Sequence, residues 1–176
     1  PLTSLFTVPK EALKLKVKGA EQPFHLEEGG SMMKLVAGET LSLEALLHGL
    51  LLVSGNDAAN VIAASLAPSI PHFVEEMNGY LHSIGCRSTR FVNPHGLHHP
   101  DHVTTAYDLS LMAKKALEFP ELKEIVSKVS YAVPKTNKQG KKELRQTNPL
   151  LKPGPFYYPY AMGMKTGYTS QALYAL

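Results

Sequence analysis

Cysteine is almost absent from this sequence. Cys86 stands alone, which excludes an internal disulfide and any multi-cysteine metal cluster. No apolar run approaches the roughly 18 residues of a membrane span. An initiator methionine and a signal-peptide pattern are missing too. Leu5–Lys10, LFTVPK, reads as a strand or loop entered from something earlier, and Ala172–Leu176, ALYAL, opens an apolar strand and stops. An edge of that kind is rarely left bare, so the sequence is expected to be an internal piece of a longer protein. A strong excess of either charge is also lacking: 18 Lys and Arg against 15 Asp and Glu give a net +3, and nothing demands nucleic acid as a partner. What remains, 176 residues at 44% hydrophobic and 19% charged, can bury a sizeable core as one domain or two small lobes.

Leu46–Leu66, LLHGLLLVSGNDAANVIAASL, carries the first sign of chemistry. Leu43, Leu46, Leu47, Leu50 and Leu51 recur at helical spacing before the tripeptide Ser54-Gly55-Asn56, and Ala58, Val61, Ile62 and Leu66 do so after it. A hydroxyl, a glycine and a carboxamide between two buried helices gain little for stability, since unpaired buried polar groups cost about 1–3 kcal/mol. Groups of this kind usually face a cleft. The plainer reading is a helical corner in which Ser54 or Asn56 caps the second helix.

A second motif separates the two readings. Tyr160–Thr169, YAMGMKTGYT, contains Lys165-Thr166-Gly167 on what the alternation predicts to be a strand, where the glycine lets a ligand backbone lie close. An S-x-N turn followed 111 positions later by K-T-G is the pair of motifs found in penicillin-binding proteins and class A β-lactamases. With FVNPHGLHHPDHVTTAYDLSLMAKKAL and QTNPLL between them, these stretches make the chain resemble the D-alanyl-D-alanine carboxypeptidases, the low-molecular-mass penicillin-binding proteins, from about Gly30 onward.

The resemblance implies an α/β fold of the α+β kind, β-lactamase/transpeptidase-like and incomplete at both ends. A helical lobe over about 40–128 would face an antiparallel sheet built from about 129–146 and 160–176, with Lys165–Gly167 at its edge and a cleft between. It implies acyl transfer through a serine ester, releasing the terminal D-alanine of a peptidoglycan stem peptide, with β-lactams as inhibitors. Ser54 would relay a proton to the leaving amine, Asn56 would hold the substrate amide, and Lys165 would supply positive potential and tune the relay. Thr166 would bond the substrate carboxylate, Gly167 would keep the strand open, and the Tyr168 amide would be an oxyanion donor. No cofactor or metal is implied. The location would be extracytoplasmic, with a possible membrane anchor on the intact protein, and the modest basic bias would suit an anionic cell wall.

One element of the family is not in view, the S-x-x-K whose serine is the nucleophile. Ser31-Met32-Met33-Lys34 matches it as text. It lies too close to Ser54 and sits in a glycine-rich loop instead of opening a buried helix, so the nucleophile is expected upstream of Pro1. A class A β-lactamase would add a deacylating glutamate before K-T-G, but no acidic residue occurs between Thr147 and Met164. A noncatalytic wall-binding relative is a further alternative.

Elsewhere, EALKLKVKG suggests a strand with Leu13, Leu15 and Val17 on one face. Helices are predicted over Leu41–Leu51, His72–Ile84 with Phe73, Met77, Tyr80, Leu81 and Ile84 inward, Thr105–Glu118 with Leu109, Met112, Ala113 and Ala116 inward, and Pro120–Lys128. The loop Cys86–Thr104 holds His95, His98, His99 and His102, which raises a zinc-binding interaction module as the rival from another class. On the resemblance this loop carries no metal, and His95-Gly96-Leu97 and His102 hold it against the helical lobe. Lys135–Lys142, KTNKQGKK, is basic without interleaved aromatics and is expected to be a solvated hairpin tip.

Overall fold

Two serines bracket the first helix of the computed structural model, which describes residues 1–175. Helix α1 spans Leu43–Val53; the Ser42 hydroxyl accepts from the Ala45 amide at 3.2 Å, and Ser54 closes the other end in the left-handed conformation, φ 56° and ψ 41°. Helix α2, Asn56–Leu66, follows after only Ser54 and Gly55, and every residue from Asn56 to Ala63 is buried. Leu46 from α1 and Ala58 and Val61 from α2 share one buried cluster, which is the apolar patterning seen in the sequence. Val8, Ala12, Met33 and Leu41 close this core from the N-terminal segment, and Val133 and Leu144 close it from a hairpin.

Strand β1, Leu5–Thr7, pairs antiparallel with β2, Thr40–Ser42, in the register Leu5↔Ser42 and Thr7↔Thr40. Between them the expected strand over EALKLKVKG does not form. Pro9 leads into a 3-10 turn at Lys10–Leu13 that buries Ala12, and Leu15 makes only an isolated bridge to Leu26. Without a neighbouring strand the Leu-Lys alternation has no sheet to cover, and Leu15 and Val17 are exposed.

Helix α3, Ile70–Ser83, starts before its predicted His72 because the Ser69 hydroxyl caps the His72 amide and Pro71 suits the first turn. Ile70 and Val74 are its buried residues; of those expected inward, Phe73, Met77, Leu81 and Ile84 are half-buried, while Tyr80 is exposed. Gly85, at φ +96°, ends the helix and its cap. Helix α4, Ala106–Ala116, is capped by Thr105, whose hydroxyl accepts from the Asp108 amide. Leu109, expected inward, is exposed; Asp108 is the buried residue, because its carboxylate accepts from the Ser88 amide and the Thr89 hydroxyl and so sets the rotation of the helix. Helix α5 runs Pro120–Ser127.

The strands form three separate two-stranded ladders among the described residues, where one antiparallel sheet was expected. Strand β3, Ser130–Val133, pairs with β4, Lys142–Arg145, and β5, Gly167–Thr169, pairs with β6, Leu173–Ala175. The predicted strand over YAMGMKTGYT begins only at Gly167, since Gly163 (φ +102°) and Met164 (φ 107°) turn the chain away from extended geometry. A Cβ on Gly163 would collide with the carbonyl of Val126, so this segment lies flat on the end of α5 instead of pairing.

The Lys135–Lys142 tip is not merely solvated, another departure from expectation. Thr136 Oγ1 donates to Glu39 Oε1 at 2.9 Å and Gln139 Nε2 to Glu39 Oε2 at 2.7 Å, while the Thr40 amide donates to Asn137 Oδ1 at 2.8 Å. Glu39 is fully buried, with the Val36 amide as a third donor at 3.0 Å, so its charge is compensated by hydrogen bonds.

Candidate active site

A serine in the left-handed region is unfavourable by about 1–2 kcal/mol, and glycine is the residue that usually closes a helix this way. At Ser54 the turn is held by the Ser54 and Gly55 amides, both donating to the Gly49 carbonyl. The conformation turns the Ser54 side chain out of the α1–α2 core, where it meets a residue from the far end of the chain. Lys165 Nζ donates to Ser54 Oγ at 2.5 Å. The same ammonium also contacts the carbonyl of Thr166.

Delivery of Lys165 to this point depends on two crossings. Gly163 and Met164 carry the chain over the end of α5, as described above. Thr147 then fastens it to α1: its amide donates to the Leu52 carbonyl at 3.1 Å and its hydroxyl shares a hydrogen bond with Thr166 Oγ1 at 3.2 Å. Over the whole residue Lys165 is exposed, but its surroundings desolvate the ammonium and lower its pKa. The neutral amine is thereby more accessible than on a free lysine, and a hydroxyl lies within proton-transfer reach of it.

The profile of the D-alanyl-D-alanine carboxypeptidase family, peptidase S11, matches residues 9–176. This chain belongs to that family. It is 34% identical over 167 residues to the D-alanyl-D-alanine carboxypeptidase DacF of Bacillus subtilis strain 168, covering 95% of this chain and 42% of the relative. Among solved structures it superposes on a D-alanyl-D-alanine carboxypeptidase from Mycobacterium tuberculosis H37Rv with a TM-score of 0.78 and 31% identity, covering 97% of this chain and 58% of that one. Penicillin binding protein 6B from Escherichia coli gives 0.78 and 28%, covering 97% and 50%. The chain thus spans about half the length of the carboxypeptidases it matches. The α+β, transpeptidase-like fold expected from the sequence is the fold of these neighbours.

The remaining residues singled out in this carboxypeptidase-family chain fall at different depths. Asn56 opens α2 and is only 7% exposed; its amide donates to the Ser31 carbonyl at 2.9 Å, and its Nδ2 lies against Gly30. Gly167 and Tyr168 lie on β5, both exposed, with the Tyr168 ring tilted over Tyr174 at 4.6 Å. Ser31 and Lys34 are exposed on an extended segment, and Lys34 has φ 61°, so no helix presents the S-x-x-K lookalike.

The four loop histidines go separate ways, and among the described residues no group of three or more His, Cys, Asp or Glu could hold a metal ion. His95 Nδ1 accepts from the Leu97 amide at 3.1 Å, which leaves the proton on Nε2 to donate to the Phe24 carbonyl at 3.2 Å. Burial pushes its pKa down to about 4. His102 stacks on Phe91 at 4.6 Å and accepts from the Val92 amide, and burial lowers its pKa too. His99 accepts from the Asp101 amide, while His98 is exposed.

Two residues at the site escaped the sequence reading. Thr147 had only a place in QTNPLL, with no pattern pointing to Thr166. Asp57 follows directly on Ser54-Gly55-Asn56; a carboxylate inside the apolar stripe of a buried helix was the signal available.

Proposed function

We propose that the complete protein is a serine-type D-alanyl-D-alanine carboxypeptidase that removes the terminal D-alanine from peptidoglycan stem peptides through an acyl-enzyme, and that β-lactams acylate it. The single observation carrying this reading is the Lys165 ammonium on the Ser54 hydroxyl, brought together across 111 positions of the chain. In this scheme the nucleophilic serine comes from residues outside this chain. Ser54 passes its hydroxyl proton to the leaving amine and recovers one from the Lys165 ammonium, which the proton released by the attacking serine restores. In the second half water gives its hydroxyl to the acyl group and its proton back to that serine. Protonated Lys165, with the Thr166 hydroxyl, attracts the substrate's terminal carboxylate. Asn56 offers a donor and an acceptor to the substrate amide, which requires its carboxamide to turn from Gly30 toward the cleft. Gly167 leaves room for an incoming peptide backbone along β5, and the Tyr168 amide completes an oxyanion hole with the amide of the nucleophile.

In this reading the complete protein works outside the cytoplasmic membrane, on the stem peptides of the wall. None of the described helices is long and apolar enough to cross that membrane. A β-lactamase reading is less well supported, because no carboxylate lies between Thr147 and Met164 to deacylate the enzyme rapidly.

The test is D-alanine release from a peptide ending in D-Ala-D-Ala by the full-length protein. Ser54→Ala should lower kcat/KM by about 100-fold, the usual scale for losing a positioned proton donor. Unchanged turnover would end the proposal. Intact-mass analysis with a labelled penicillin checks the nucleophile: full-length Ser31→Ala should form an undiminished adduct, and an adduct mapped to Ser31 would overturn the scheme.

A further inference from the structure

The carboxylate of Asp57 is turned away from ordinary helix capping. Helix α2 has Gly55 as its N-cap and no side chain capping it. Asp57, in the first turn and 1% exposed, takes its own neighbour's amide, Ala58, on Oδ1 at 2.9 Å. Its other acceptor capacity goes to a different segment: Oδ1 also accepts from the Met33 amide at 2.8 Å, and Oδ2 from the Leu35 amide at 2.9 Å. With the Asn56 amide donating to the Ser31 carbonyl, the 31–35 segment is laced to the start of α2 at every second residue. On its far side Lys142 Nζ donates to the Met33 carbonyl at 2.9 Å, so the Met33 residue is gripped at both its amide and its carbonyl.

This carboxylate lies directly beneath the turn joining Ser54 to Asn56. A Cβ on Gly55 would stand 3.1 Å from Asp57 Oδ1, 3.1 Å from the Gly49 carbonyl and 3.3 Å from the Met33 amide. Any side chain at position 55 would therefore press on all three groups, so the turn is packed directly against Asp57 and Met33. Three amide donors converge on the two oxygens of this side chain, an arrangement a carboxamide could not reproduce, since it presents a single oxygen and an NH2 that would face another N–H.

We infer that Asp57 is a positioning residue for the proposed proton relay: by pinning Met33 and Leu35 it fixes the left-handed turn that aims Ser54 at Lys165. The inference rests on the reading of Ser54 and Lys165 given above. Loss of the carboxylate lets the 31–35 segment withdraw, relaxes Ser54 toward ordinary helical geometry, and hydrates Lys165.

The test uses the full-length protein, a labelled penicillin and a D-Ala-D-Ala peptide. Asp57→Asn should lower kcat/KM for the peptide by ten-fold or more, and should move the limb of the pH profile that titrates Lys165 toward alkaline pH. Asn60→Ala is the control: Asn60 is a buried polar residue of the same helix, whose Nδ2 donates to the Ala12 and Phe24 carbonyls, away from the cleft. It should lose stability yet keep both the rate and the pH limb. Lys142→Met releases Met33 from the outside, so a two- to three-fold fall in rate with the same alkaline shift is expected, and this variant decides the matter if Asp57→Asn does not fold. Equal rates and unshifted limbs for Asp57→Asn and Asn60→Ala, at matched loss of melting temperature, would overturn the inference; so would an unshifted Lys142→Met. If Ser54→Ala in the same assay costs nothing, it is the relay itself that fails.

Discussion

The Ser54–Asp57 corner and the Cys86–Thr104 loop are both polar interruptions in an apolar helical pattern, and the structure uses them in opposite ways. In the loop, polar groups mostly close on their near neighbours: Asn93 Oδ1 accepts from the Gly96 amide, Asn93 Nδ2 donates to the Leu97 carbonyl, and His102 accepts from the Val92 amide. At the corner, the Ser54 hydroxyl is left for a lysine 111 positions away, and the backbone adopts an unfavourable conformation to present it. A polar group satisfied within its own loop holds shape. One satisfied only by a distant, titratable partner, at an open edge, is available for chemistry.

That contrast predicts effects that separate activity from stability. The largest belongs to the corner: in the full-length protein Lys165→Met should lower D-alanine release about 100-fold, with little change in melting temperature, because an exposed residue away from the core contributes little to stability. Loss of folding with activity retained per folded molecule would break the comparison.

Next comes the loop, where stability should respond to acid. His95 in the unfolded chain binds a proton near its ordinary pKa of 6.5, but in the folded state it does so only near pH 4. Its folded pKa is depressed, so as pH falls from about 6.5 toward 4 the unfolded state binds more protons and stability declines, by at most about 3 kcal/mol. His102 acts in the same direction. Above that window neither contributes. Denaturant titrations across pH should show this slope, and His95→Asn should flatten it; an unaltered slope would mean the imidazole is not held neutral by the loop.

Asn93 is 1% exposed, and Asn93→Ala should cost about 1–3 kcal/mol by leaving the Gly96 amide and the Leu97 carbonyl without their partner. Turnover per folded molecule should stay unchanged in a melt-and-assay comparison. The smallest effect is expected from His98→Ala with His99→Ala: stability within about 0.5 kcal/mol and unaltered activity. Zinc found in the purified parent and lost with activity in the double variant would reverse the assignment of the loop.

What was legible in the sequence follows the reach of the interactions. The S-G-N turn between two apolar stripes is a local pattern, and the structure has it. Lys165-Thr166-Gly167 could be paired with Ser54-Gly55-Asn56 only through resemblance to a family, because nothing local to either motif encodes their meeting. The same reasoning explains the misses. Whether Leu13, Leu15 and Val17 form a strand depends on a partner strand, and among the described residues the segment makes only the bridge from Leu15 to Leu26. The start of α3 was misjudged because the Ser69 cap lies ahead of its apolar face, and Leu109 of α4 because a buried carboxylate, Asp108, takes the inward place. Asp57, Glu39 and Thr147 are ordinary polar residues until contacts across the fold give each a task.

The hairpin tip on Glu39 has a further consequence, in the order of events during synthesis. Thr136 and Gln139 meet Glu39 across 97 and 100 positions, and Lys142 reaches Met33 across 109. On the ribosome, helices α1 and α2 can emerge and pack long before the residues that close over the 33–39 segment exist. Closing so long a loop carries an entropic cost that local helix formation does not, and such contacts tend to form late. The nascent chain therefore passes through a stage in which its apolar helical pair is assembled while Glu39 waits in water, and only the arrival of the hairpin draws that carboxylate inside.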